Sequence, residues 1–384
     1  MYEPRNFEGV QGEPCTKNGN RYNSQEYKAN LVHVYMKIEH LSLINFKCFE
    51  HQELDFTPEF NVLIGNNGTG KTTVLDALAV GISTLLSGFY DISSRAIKNN
   101  DVRMVYDTST DRTQYRKQYP VEVRCVGTIP DGKTLSWQRG YDDEKMATQP
   151  AQEIIQYAKQ LQKQASAGQK VVLPLLSYYS PASLLYQQEA EVGTVKPALM
   201  TSGYVNCLEN VSTGKVLMAW IKTLTIAEIQ RKKSLGLLEV LKQAIKTGLT
   251  EEGCEEVYFD VEMDELLVIF SNGQTLPYHL LSDGLRTMLL MIADIAYRAC
   301  ELNPHLGKSA IVETPGIVLI DEIDLHLHPT WQRRVVRNLQ DIFPNIQFIA
   351  TTHSPIIIQS LKQGEVINLN KGDIGEYYLK GVEE

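Results

Sequence analysis

At 384 residues, with 43% hydrophobic and 22% charged side chains, the chain can bury two domains, or one large domain with an insertion. The formal charge of −9 excludes a wholly basic nucleic-acid sleeve but not a local basic patch. No apolar run approaches the roughly 18–20 residues that span a bilayer, residues 1–35 hold no secretory apolar stretch, and the six cysteines form no C-x-x-C pair; a reducing cytoplasm is the expected setting.

Residues 1–35 are polar and without periodicity, and read either as a poorly ordered tail or as sequence ahead of a true start at Met36. Three strands are predicted next, at Ile38–Phe46, Gln52–Phe56 and Phe60–Ile64. A helix follows from Lys71, with apolar positions Val74, Leu75, Leu78, Ile82, Leu85 and Leu86. Residues 90–118 are polar and read as loop. Then come a strand pair (Pro120–Ile129, Leu135–Arg139), an amphipathic helix over about 151–166 and a strand at Val171–Tyr179. After an irregular stretch at 180–213, helices run to about Gly248. Short strands at Glu256–Val261 and Glu265–Phe270 precede a long helix beginning near Gly284. From Gly316 onward strand and helix alternate, the pattern of a parallel sheet with helical crossovers. No heptad run lasts beyond a few turns, so long coiled-coil arms are not expected.

Ile64-Gly65-Asn66-Asn67-Gly68-Thr69-Gly70-Lys71-Thr72 reads G-x-x-x-x-G-K-T between a strand and a helix. Glycines there let successive N–H groups turn toward phosphate oxygens, and the helix start adds unpaired donors. The candidate nucleotide contacts are Asn66, Asn67, Gly68, Thr69, Gly70, Lys71, Thr72 and Thr73. Lys71 would reach the β- and γ-phosphates of ATP, and the Thr72 hydroxyl would face Mg²⁺. Gly316–Ile320 is a continuous apolar run, as a central parallel strand requires, and it ends in Asp321-Glu322. Asp321 is the second candidate Mg²⁺ partner, and Glu322 the candidate base for an attacking water. His326 and His328, two residues apart, lack a third ligand at metal spacing and read as shaping a loop that faces a partner. Leu281-Ser282-Asp283-Gly284 opens a helix and by itself reads as a plain N-cap. His353 follows the buried run Ile346–Ala350, where a histidine can sense a γ-phosphate or simply sit satisfied in a loop.

Leu281–Gly284 closely resembles the LSGGQ signature of ABC-type ATPases, and the order of the motifs resembles the RecF/SMC/ABC branch of P-loop ATPases. The strings Asn45–Phe49, Asp101–Arg103, Leu135–Trp137, Leu173–Tyr179 and Asp321–Pro329 narrow the likeness. Over roughly Met36–Asn370 the chain is similar to bacterial ATP-binding proteins described as involved in virulence, and to the ATPase subunits of Septu and retron-associated anti-phage systems. Tyr178-Tyr179-Ser180-Pro181-Ala182-Ser183 departs from the Tyr-Tyr-Gly-Thr-Gly-Arg frequent in those relatives, which puts that loop's role in doubt.

The resemblance implies an α/β P-loop head of ABC/SMC type: a mixed sheet with an inserted β and helical lobe that leads into the signature motif. Its expected divisions are the first part of the ATP-binding lobe at 36–90, an inserted lobe at 91–280, and the closing part at 281–384. It implies ATP and Mg²⁺ as cofactors, and a homodimer or higher homo-oligomer in which Ser282 and Gly284 grip the nucleotide of the other head. Lys47 would lie near the nucleotide. Any DNA cutting would come from a separate effector such as an HNH nuclease. Direct contact with nucleic acid, for instance through Arg231-Lys232-Lys233, Lys242 and Lys246, stays open beside a solvated helix face, as do a RecF-like repair role and a slow ATP-binding scaffold. No membrane contact is implied.

Overall fold

The computed structural model describes residues 36–107, 114–142, 145–147, 151–181, 200–209, 214–233 and 236–370. The tail expected at 1–35 and most of the irregular stretch at 180–213 lie outside the described residues.

The N-terminal strands β1 (Lys37–Phe46) and β2 (Phe49–Asp55) form an antiparallel pair. Strand β3 (Phe60–Ile64) is buried at every position and leads through the Gly-rich loop into α1 (Lys71–Ile82). A short ribbon follows, β4 (Met104–Asp107) with β5 (Gln114–Lys117), inside the stretch whose polarity predicts loop. Its strands are four residues each, too short for alternation to register in a polar sequence. Strands β6 (Val121–Thr128), β7 (Thr134–Asp142) and β8 (Lys145–Ala147) then extend the first sheet in the order β2-β1-β6-β7-β8. The strand pair predicted at 120–139 thus shares a sheet with the N-terminal strands.

Helix α2 (Gln152–Ser166) precedes β9 (Leu175–Tyr179). Helices α3 (Gly214–Arg231) and α4 (Gly236–Gly248) lead to a small antiparallel sheet, β10 (Cys254–Asp260), β11 (Glu265–Phe270) and β12 (Thr275–Pro277). The long helix α5 (Asp283–Leu302) and the single turn α6 (Ala310–Glu313) come before β13 (Gly316–Ile320). The helical segment after Pro329 is two pieces, α7 (Pro329–Gln332) and α8 (Val335–Ile342), with Arg333 and Arg334 between them. Strand β14 (Ile346–Thr351), α9 (Pro355–Gln359) and β15 (Val366–Asn368) close the fold. No helix among the described residues is long and apolar enough to cross a membrane.

The second sheet is parallel throughout, in the order β15-β3-β14-β13-β9. Helix α1 packs against strands of both sheets, which explains why its sequence is apolar almost all round. Val74, Leu75, Leu78 and Ile82 are fully buried, each contributing about 1.5–3 kcal/mol of burial. The packing is tight enough that a Cβ on Gly81 would meet Cys125 Sγ at 2.4 Å, and the Trp137 indole N–H donates to the Gly81 carbonyl at 2.9 Å. Register pairs Ile320 with Tyr179 and with Ala350, and Leu63 with Thr351, so the carboxyl ends of β9, β13, β14 and β3 reach one edge. Open α/β sheets bind ligands at that edge.

Candidate nucleotide site

The loop after β3 is held by its own main chain and by the start of α1. Thr69 donates to the Asn66 carbonyl through both N–H (3.3 Å) and hydroxyl (2.9 Å), and the Asn66 N–H donates to Asn370 Oδ1 at 3.0 Å. Gly68 and Gly70 take left-handed φ values of +82° and +97°. At Gly70 a Cβ would strike the Phe49 ring at 2.4 Å, so only glycine fits. Helix α1 has no side-chain cap and no acidic residue in its first turn. Its opening N–H groups therefore remain available to an anion. Lys71 is buried, and its ammonium donates to the carbonyls of Gly65 (2.8 Å) and Asn66 (3.1 Å). Burial lowers its pKa, with Asp321, Glu322 and Asp324 pulling the other way. A cation placed under uncapped helix donors fits a polyphosphate.

Across the loop stands the carboxyl end of β13. The Thr72 hydroxyl lies 3.0 and 3.2 Å from the two oxygens of buried Asp321, and the Thr351 hydroxyl donates to Asp321 Oδ1 at 2.6 Å. A hydroxyl and a carboxylate converging in this way are the oxygen donors a hard divalent ion takes. Glu322 is exposed and has φ of +54°, rare for a residue with a side chain. Its turn is fixed from several sides. The Asp321 N–H donates to the Tyr179 carbonyl (2.8 Å), the Glu322 N–H to Thr351 Oγ1 (2.7 Å), and the Ile323 N–H to the Thr351 carbonyl (3.0 Å). Such over-determined strain is common at functional sites.

A family model described as AAA domain matches residues 40–252, more than half of the chain, and a second AAA-domain model matches 222–359. The chain belongs to the AAA-domain ATPase family. It is 26% identical to the retron Vc95 probable ATPase of Vibrio cholerae serotype O1 biovar El Tor, over 88% of this chain and 74% of that one. It is also 26% identical to the Septu protein PtuA of Bacillus mycoides (strain KBAB4), over 89% of this chain and 42% of that protein. The SMC head domain from Thermotoga maritima matches with a TM-score of 0.48 at 13% identity, over 87% of this chain and 94% of that one.

The other residues singled out in this AAA-domain ATPase sit as follows. Ser282 is exposed and is the N-cap of α5, accepting from the Leu285 N–H at 3.4 Å. Asp283 pairs with Arg286. Gly284 lies so close to the loop after Glu322 that a Cβ would meet the His326 carbonyl at 2.5 Å. His353 is exposed two residues beyond β14, its N–H 3.3 Å from Asp324 Oδ1. His328 caps α7, its ring 3.0 Å from the Thr330 hydroxyl. Lys47 turns to Asp76 (2.5 Å) and Asp101 (3.5 Å), and Arg95 reaches Asp76 as well (2.6 Å). Arg231, Lys232, Lys233 and Lys246 are exposed, and Lys242 is half-buried.

Four supporting residues escape a reading of the sequence. Thr351 orients Asp321. Asp324 takes the Thr352 hydroxyl at 2.6 Å and so ties the loop after β13 to the end of β14. Asp76 gathers Lys47 and Arg95, and Tyr179 receives the Asp321 N–H. The hydroxyl run Thr351-Thr352-His353-Ser354 was the one visible sign, since polar residues at the end of an apolar strand need partners.

Proposed function

We propose that the chain hydrolyses ATP and pairs with a second copy of itself around the nucleotide, as the switch subunit of an anti-phage system that governs a separate effector such as an HNH nuclease. The observation that carries the reading is the convergence of Thr72 and Asp321 beside an uncapped α1 and a buried Lys71, with Glu322 exposed at the same strand end. Lys71 and the first N–H groups of α1 hold the phosphates. Thr72 and Asp321 hold Mg²⁺, which when bound neutralises charge developing on the transferred phosphoryl group. Glu322 accepts a proton from the attacking water or orients it. His353 serves as γ-phosphate sensor. Ser282 is exposed on the signature turn, where a second head's nucleotide can reach it; Gly284 sets that turn against the loop after Glu322. The names of the relatives, a retron ATPase and a Septu protein, support the defence role.

Because γ-phosphates join the interface only in the ATP state, hydrolysis removes contacts and lets the heads part. Phosphate release with and without Mg²⁺, alongside light scattering with ATP and with ADP, tests the reading. Magnesium-dependent release and an ATP-dependent doubling of mass are expected. No release with any effector or nucleic acid present would leave a non-hydrolysing scaffold instead.

A further inference from the structure

The helix that carries Ser282 also turns one face toward the catalytic edge of its own head. Gly284, Thr287, Met288, Met291, Asp294 and Arg298 recur at spacings of three and four along α5. A Cβ on Gly284 would meet the His326 carbonyl at 2.5 Å. Thr287, Met288 and Met291 line a cavity of about 20 Å³ together with Asp321, Glu322 and Leu325. Further along, Asp294 is 1% exposed, and its Oδ2 accepts from the Tyr179 hydroxyl and from Arg298 Nε, both at 2.7 Å. Arg298 in turn donates through Nη1 to the carbonyls of Gly203 (2.7 Å) and Val205 (3.2 Å). Burial and the Asp294 carboxylate hold the Tyr179 phenol well above its ordinary pKa, so it stays a donor.

Tyr179 ends β9, and its carbonyl accepts the Asp321 N–H at 2.8 Å. One residue therefore grips the acidic strand end with its main chain and α5 with its side chain. A fully buried ion pair is a poor source of stability, and its better-attested use is to fix geometry. We propose that Tyr179, held by Asp294 and Arg298, is a positioning residue for hydrolysis that sets the Asp321–Glu322 turn against the signature helix of the same head. The inference rests on the ATPase reading above.

Tyr179→Phe keeps the ring and deletes one hydroxyl. In the full chain it should lower kcat by on the order of tenfold to a hundredfold with KM for ATP unchanged, since the phosphate loop is untouched. Independently of turnover, the Asp321 amide of the nucleotide-free variant should exchange hydrogen faster than in the wild type. If Tyr179→Phe does not fold, Arg298→Lys, which keeps the charge without the fork, takes the same two measurements. A folded variant with a lower melting temperature but wild-type kcat and wild-type exchange at Asp321 would overturn the inference. A wild-type chain without turnover would count against the ATPase reading, and the exchange experiment would still decide the role of Tyr179.

Discussion

Two helices of this protein begin at sites assigned to the same phosphate chemistry, yet their first turns are built in opposite ways. Helix α1 starts at a glycine with left-handed φ, has no side-chain cap, and carries no acid in its first turn. Helix α5 starts at Ser282, which caps it, and has Asp283 in its first turn, paired with Arg286. The first start leaves its donors unsatisfied, and in the proposed reading a phosphate completes it. The second has one first-turn N–H capped by a serine, so in the proposed pair a partner's phosphate would have to displace that cap and tolerate a carboxylate. Under the proposed pairing, the difference predicts that one head binds nucleotide strongly by itself, while head pairing is a weaker step that the γ-phosphate tips.

The largest expected effect falls on the α1 side. Lys71→Ala should abolish measurable phosphate release with the fold intact, because the buried ammonium is the one full positive charge in the loop's turn. Circular dichroism and phosphate release check this together. A folded variant with wild-type turnover would show that the loop is not the cradle. Next comes Glu322→Gln, which removes the proposed base while keeping size and most hydrogen bonds. Hydrolysis should fall by roughly two to four orders of magnitude, with ATP affinity little changed. The variant should stay paired on ATP, seen as a persistent mass increase by light scattering. Normal turnover would mean that another residue is the base.

How legible the two helix starts were in the sequence follows from the same contrast. The Gly-rich loop could be read because its pattern sets glycines and a lysine at fixed spacing between a strand and a helix, and Phe60–Ile64 and Lys71 fall where the pattern places them. Gly316–Ile320 could be read because a strand buried on both faces is apolar throughout. The supports of the site were not readable in this way. Tyr179 and Asp294 are 115 positions apart, and Thr351 and Asp321 are 30 apart. Nothing local marks a tyrosine or a mid-helix aspartate as partners until the sheet order brings β9 beside β13. The ribbon β4–β5 failed for a different reason: its short polar strands bury too little for periodicity to show.

On the α5 side the expected effects are smaller and concern pairing. Ser282→Arg puts a long cation where, in the proposed pair, the second head's nucleotide would dock. ATP binding to the isolated head should be unchanged, since α1 and its loop are untouched, and ATP-dependent mass increase should disappear. An unchanged assembly state would reduce Ser282 to a helix cap.

The smallest effect is the most diagnostic, and it comes from Ser282→Ala. As a cap the serine contributes little: its one bond, to the Leu285 N–H, is 3.4 Å long, beyond the usual range for a strong hydrogen bond. Ser354, by contrast, caps α9 by accepting from both Ile356 N–H (3.1 Å) and Ile357 N–H (3.4 Å). Losing the Ser282 cap should therefore cost about 0.5 kcal/mol, the low end for such substitutions. In a chain of this size that is a melting shift of about 1 °C or less. If the hydroxyl also reaches a partner's phosphate, its removal strips one donor from each of two equivalent sites in the pair. ATP-dependent association should then weaken far more than stability does, and a sedimentation titration with ATP set beside a thermal melt would separate the two. Equal and small losses in both would mean that Ser282 does no more for α5 than Ser354 does for α9, and the asymmetry between the two helix starts would lose its functional meaning.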